Sequence, residues 1–338
     1  MHVALRHARD VPVAAFGRTC NTGLFKIFFM STSTSSATPG GAPGSLALRA
    51  MPVVFVLLWA TGFIGAKLGL PYAPPLKFLL WRFLVVVLLM TPLALLTRAP
   101  WPRGARVLHV AVAGVLLQAG YLSGVFVGIS LHMPAGLSSL IVGMQPLLTG
   151  ALGGLTGERV SARQWSGLVL GFVGVALVVS NKVGLTPTGV PLPGFGWEAV
   201  AFTVMALVSI TIGTLYQKKY CGGEDLRTQS VVQFAAAGAV LLPFSLAFET
   251  REVAWSTHFI FALLWVVFVL SFGAISLLML LLRRGAATMV SSLMYLVPPV
   301  TALMAYALFD ERLSLLAIIG MGVAVVGVAM VVRPAPAK

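Results

Sequence analysis

From Met51 to the C-terminus the chain is a succession of apolar runs, each about as long as a bilayer is thick. A helix rises ~1.5 Å per residue, so crossing ~30 Å of hydrocarbon takes about 20 mostly apolar residues. The runs predict helices at 51–70, 76–96, 107–128, 134–152, 163–180, 197–216, 228–248, 258–281, 286–308 and 313–332. None alternates with period two, which excludes a transmembrane β-barrel. A helix is the other structure that meets its own backbone hydrogen bonds in lipid. The expected fold class is therefore all-α, a polytopic membrane protein of ten transmembrane helices. Composition agrees, with 58% of the 338 residues hydrophobic and 9% charged. A soluble domain carries about 25% charged residues. Too few polar residues remain here to cover a water-facing surface.

A net charge of +14 would suggest nucleic acid in a soluble protein. Here the bases sit in short stretches between apolar runs, a pattern that sets membrane orientation instead. No nucleic-acid partner is expected; the expected partners are the lipid bilayer and a small-molecule substrate. With the N-terminus placed in the cytoplasm, only Lys77, Lys182, Arg251 and Arg312 fall outside. Lys67 and Arg82 lie within spans, and the other seventeen of the 23 bases fall inside. Both termini are thus expected to be cytoplasmic. Residues 1–48 differ from the rest, with four scattered bases and then a Ser/Thr/Gly/Pro-rich run from Ser31 to Gly44. Such composition does not offset its ordering entropy by burial, so a disordered tail is expected. It is either a true N-terminus or an extension ahead of a start at Met30. Cys20 and Cys221 form neither a disulfide framework nor a metal-ligand spacing.

The chain also repeats itself. Ser138, Ser139 and Leu140 recur as Ser291, Ser292 and Leu293, an offset of 153. The same frame maps Pro146 onto Pro299, Glu158-Arg159 onto Glu311-Arg312, Ser161 onto Ser314, Gly167 onto Gly320 and Gly174 onto Gly327. It reaches back to Gly120/Gly273 and Ser123/Ser276. Matching polar residues and prolines in one ungapped frame points to duplication, with one repeat over 51–180 and a second over 197–333. Five spans is an odd number, so the second copy enters the membrane from the opposite face. Inverted repeats are the architecture of alternating access, with substrate held near the midplane between the halves.

The string Trp59-Ala-Thr-Gly62-Phe-Ile-Gly65-Ala-Lys67, followed by Pro75-Leu-Lys-Phe-Leu-Leu-Trp-Arg82-Phe83, resembles the opening of the EamA-type transporters of the drug/metabolite transporter superfamily. Gly157-Glu158-Arg159 and its later copy, Asp310 to Ser314, are similar to that family's repeated loop. The resemblance covers about 51–333. It implies two five-helix EamA repeats and secondary export (efflux) of small metabolites across a bacterial inner membrane. Spans one, three, four, six, eight and nine would line the cavity. Members differ in substrate, so no single compound is implied.

The candidate substrate-binding residues are Trp59, Lys67, Arg82, Gln118, Tyr121, Gln145 and Tyr295. A charge at membrane depth marks either a ligand pathway or a side chain that snorkels to the interface. Both readings stand for Lys67 and Arg82, and no acidic residue lies deep in any span to pair with either. A substrate carboxylate or phosphate would fill that place at either one, as would helix-end carbonyls. Gln118, Tyr121 and Ser123 in span three, Gln145 before Pro146, and Tyr295 before Pro298-Pro299 carry polar groups that must face the interior. They serve as interhelical glue or as substrate contacts. Gln145 aligns with Pro298 and so breaks the repeat symmetry, which favours substrate contact. Pro146 and Pro299 each remove a backbone donor, giving a hinge, a static kink or an exposed carbonyl. Trp59 either stacks on a substrate or packs. Gly167, Gly171 and Gly174, with Gly320 and Gly327, read as close helix packing within the protein or at a homodimer seam. Ser161 with Gln164 reads as a capping box, and the Glu-Arg turns as structural. His109 and His132 carry no ligand spacing. No Walker loop, H-E-x-x-H or GxSxG occurs, so no enzyme activity, cofactor or metal is expected.

Overall fold

The computed structural model describes residues 46–153, 162–180, 195–283, 293–311 and 315–332, all within one compact unit, Gly44–Lys338. The tail, the Glu158-Arg159 turn, Ser161 of the capping box and Ser291-Ser292 lie outside the described residues. Every element described is helical, with no strand among the described residues. In chain order these are α1 Leu46–Gly69, α2 Pro75–Leu96, α3 Ala105–Ser130, α4 Ala135–Val142, α5 Gln145–Gly153, α6 Ala162–Ser180, α7 Trp197–Tyr220 and α8 Leu226–Phe248. They continue with α9, which runs Thr257–Leu264, Trp265–Ala274 and Ile275–Arg283, then α10 Val297–Phe309 and α11 Leu315–Val332.

Six of these helices contain stretches long and apolar enough to cross a membrane: α1, α2, α3, α7, α8 and α9. The remaining apolar helices are shorter, at Ala135–Thr149, Trp165–Leu177, Met294–Phe309 and Ile318–Gly327. The expected helix over 134–152 is in fact broken, with α4 ending at Val142 and α5 starting at Gln145. Of the helix expected over 286–308, only the part from 293 is described.

Lipid is the solvent this packing requires. Leu88, Leu246 and Phe248 are 60%, 74% and 77% exposed, and many other large apolar side chains point outward from the same helices. A soluble protein rarely leaves so much contiguous apolar surface in water. Chain entry into the helices follows local chemistry. Pro75 starts α2, where its missing N–H costs nothing. Asp225 caps α8 by accepting from the Arg227 N–H, and Ser256 caps α9 by accepting from the Phe259 N–H. The bond from the Arg227 side chain holds the Asp225 carboxyl below the usual carboxylate range. Burial pushes the nearby Cys221 thiol up, and Glu224 adds to the effect.

Packing crosses between the two halves of the sequence. α2 lies on α8, α4 on α10, and α6 on α11. α3 packs on α7, as α9 packs on α1. The offset of 153 maps α2 onto α8 and α6 onto α11, and it carries the α3–α7 pair onto the α9–α1 pair. The glycine stripe belongs to one of these seams. A Cβ on Gly174 would run into the Gly320 carbonyl and the Ala324 backbone at 2.5 Å. One on Gly327 would meet the Gly171 nitrogen at 2.5 Å. α6 and α11 therefore touch backbone to backbone within the chain, as small-residue stripes permit. A second stripe, Gly120, Gly124 and Gly128, lets α3 close on Ser209, Phe202 and Thr203 of α7.

Gly174→Val is expected to lower the thermal midpoint of the purified protein by the equivalent of about 1–3 kcal/mol, as overpacking does. Gly238, in α8, has open space around its Cα. Gly238→Ala should hold the midpoint or raise it by up to ~1 kcal/mol. Melting curves of the two variants in detergent check both outcomes.

Candidate substrate pathway

Hydrocarbon holds a helix to regular hydrogen bonding, so departures from it are informative. Two of them are π segments, Val115–Gly120 in α3 and Trp265–Ala274 in α9. The repeat frame superposes them, with Gly120 on Gly273. Two more are breaks. Pro146 has no N–H to offer Val142, and the chain turns at Gly143–Met144, where the Met144 N–H bonds the Ile141 carbonyl at 3.1 Å. In the second copy a 3₁₀ turn, Met294–Leu296, precedes Pro298 and Pro299. Leu296 is Gly143 plus 153, so this break also recurs. π-bulges and interrupted helices gather at functional sites, because they release backbone groups and re-aim side chains.

Several candidate residues sit at these irregularities. Gln118 lies half-buried within the first π segment, and Tyr121 follows it directly. Gln145 opens α5, and its amide nitrogen donates to the Thr214 hydroxyl of α7 at 2.9 Å. Tyr295 occupies the 3₁₀ turn, 8% exposed, with no hydrogen-bond partner for its hydroxyl. The Ser138 hydroxyl of α4 and the Thr301 hydroxyl of α10 are likewise buried and unpartnered. Trp59 packs at 5.5 Å from the Phe55 ring, half-buried on α1.

Arg82 is buried, at 7% exposure. Its Nη2 donates to the Ser271 hydroxyl at 3.2 Å, within the second π segment. The Ser271 hydroxyl in turn donates to the Val266 carbonyl, a spacing of five residues. Tyr121 lies close enough to interact electrostatically with the guanidinium. The side chain does not snorkel to the rim. It bridges from α2 to the irregular stretches of α3 and α9.

Lys67 behaves otherwise. It forms an ion pair with Glu311, an acid beyond the end of α10. Its ammonium also sits 4.8 Å from the Phe309 ring centroid. The Glu311 carboxylate accepts from the Ala135 N–H at the start of α4 as well, at 3.2 Å. One acid thus joins α1, α4 and the turn after α10. Glu311 does not lie deep in a span; the left-handed Asp310, at φ 51°, ends α10 and swings the chain back to it. At the same end, Glu249 accepts from the Leu76 and Lys77 N–H groups at 2.7 and 2.8 Å, capping α2. Lys77 and Arg251 donate to the Arg251 and Leu70 carbonyls. Lys67, His132, Glu249 and Arg251 line a cavity of about 580 Å³ there. The opposite end gathers Arg106 with Glu224 at 3.3 Å, and His109, whose ring bonds Tyr216 and stacks on Tyr220.

Because removing one member strands the other near low-dielectric surroundings, the Lys67–Glu311 pair should show strong coupling. Lys67→Met and Glu311→Gln should each destabilise. The double variant should recover part of the loss, with a coupling of ~1–3 kcal/mol in a double-mutant cycle of melting midpoints. Additive effects would mean the two side chains act independently.

The EamA-like transporter family matches this chain twice, at residues 49–180 and 197–333. An uncharacterized transporter of Bacillus subtilis, YvbV, is 29% identical over 289 residues, covering 82% of this chain and 88% of its own. The inner membrane transporter YedA of Escherichia coli, also uncharacterized, is 24% identical over 275 residues, covering 81% and 87%. A probable amino-acid metabolite efflux pump of Escherichia coli is 26% identical over 280 residues, covering 80% and 89%. One crystal structure shares the fold with a TM-score of 0.57 at 17% identity, over 84% of this chain and 97% of that one. With both halves matched and relatives aligned along most of their length, the chain is a multi-pass membrane protein of the EamA-like transporter family.

Proposed function

We propose that this protein is a secondary carrier that exports small organic metabolites, amino acids among them, by alternating access across a cell inner membrane. The observation that carries this reading is the paired set of helix irregularities. Spans three and eight, and four and nine, depart from α-geometry at places related by the sequence repeat. A static scaffold has no need of the same weakness in both halves. A carrier does, because each half must bend in turn while the other holds.

The reading takes ten spans as two five-helix halves inserted in opposite senses, with both termini in the cytoplasm. Trp59, Arg82, Gln118, Tyr121, Gln145 and Tyr295 contact substrate between the halves. Lys67 and Glu311 latch the outer end of the pathway when it is closed. The amino-acid class is supported by the Escherichia coli relative that is named a probable amino-acid metabolite efflux pump. All nine acidic residues fall in the tail, at span ends or in connecting segments. No carboxylate inside a span is therefore available to carry a proton, which favours substrate exchange or facilitated diffusion over proton coupling.

The purified protein in proteoliposomes preloaded with unlabelled L-amino acids should accumulate the labelled amino acid from outside, with saturation. Flux that rises linearly with concentration and shows no stimulation from the opposite side would indicate a channel.

A further inference from the structure

Arg82 is the eighth residue of α2, about 10 Å along the helix from its start, and its side chain is buried at 7% exposure. A guanidinium in proteins stays charged, and leaving a buried charge without a counter-ion costs several kcal/mol unless something meets it. Among the described residues no carboxylate pairs with Arg82. The ion pairs found go to Lys67, Arg106 and Arg227. The Arg82 Nε–H is buried and has no hydrogen-bond partner at all. Nε and Nη2 share one edge of the planar group, the edge that grips a carboxylate through two parallel hydrogen bonds. Nη2 donates one hydrogen to Ser271, which fixes the plane and leaves a second. On that edge the Nε–H is unmet, held in place by the bond of Nη2 to α9 and flanked by Tyr121 of α3.

We infer that this edge of Arg82 receives the carboxylate of a small organic monocarboxylate, making Arg82 the anion-recognition point of the carrier; the inference rests on the carrier reading above. One unpaired cation matches one negative charge. A phosphate dianion would call for a second free base nearby, and Lys67 is already committed to Glu311. The cost of the stranded charge in the empty protein is then met by the ligand, and a neutral analogue leaves it unmet. Discrimination by a site built for a charged partner is steep, because the unpaired group is what rejects the wrong ligand. Ser271 is a positioning residue in this arrangement.

The test uses full-length protein in detergent and reads the thermal midpoint against pairs of probes: L-leucine and L-leucinamide, L-phenylalanine and L-phenylalaninamide, benzoate and benzamide. In the wild type at least one acid should stabilise at concentrations about tenfold or more below its amide. Arg82→Gln should abolish that response. Arg82→Lys, which keeps the charge and loses the fork, should retain only part of it. Empty Arg82→Gln should melt at or above the wild type, since a buried charge has been removed; a purely structural Arg82 would give a lower midpoint. Equal responses to acid and amide, no response to any acid, or an acid response that survives Arg82→Gln would each overturn the inference. Counterflow separates the two claims. Acid counterflow undiminished by Arg82→Gln removes the anion site and keeps the carrier. Acid binding without any counterflow does the reverse.

Discussion

In hydrocarbon no water arrives to satisfy a polar group, and this constraint shapes nearly everything in the structure. Backbone groups must be met within helices, so any interruption has to be met by a neighbour or left for a ligand. The first π segment shows the former. The Leu116 carbonyl receives the Ser209 hydroxyl of α7 at 2.8 Å, and Gly120 has no side chain to hold Ser209 away. Among side chains Arg82 is the contrasting case, with one donor met by Ser271 and another met by nothing.

The same constraint sorts the charges. Acids and bases collect at helix ends, where they serve twice, as ion pairs and as caps for N–H groups that no helix turn can satisfy. Glu249 at α2 and Glu311 at α4 do the same job for neighbouring helices, each from a segment that follows the end of another helix. Contacts of this kind bind the end of the bundle without adding polar groups to its middle. Breaking them there frees the helices without exposing backbone to lipid. A latch built at the rim is therefore compatible with motion, and a latch at the midplane would not be.

Much of this was legible in the sequence because lipid writes a strong signal. Apolar runs of spanning length located the helices to within a few residues, as α2 and α8 illustrate. The π segments were not legible, since Val115–Gly120 carries the same apolar composition as any span, and hydrogen-bond slippage leaves no mark on hydropathy. The break in span four was half-visible through Pro146. The Lys67–Glu311 pair was hidden for a different reason. Its partners stand 244 residues apart, and only the folding of α10 back towards α1 brings them together. The sequence marked Glu311 as part of a repeated turn without marking what it would touch. For Arg82 the reading from sequence left snorkelling and interior placement open, and the position of Ser271 across the seam separates them.

The account turns on two halves threaded through the membrane in opposite senses, and the Glu-Arg turns report that sense directly. In a variant whose Cys20 and Cys221 are replaced by Ser, single cysteines at Glu158 and at Glu311 would be probed in intact cells with a thiol reagent that does not cross the membrane. The account predicts labelling at Glu311 from outside and at Glu158 only after the membrane is opened. Labelling of both positions from the same face would contradict it.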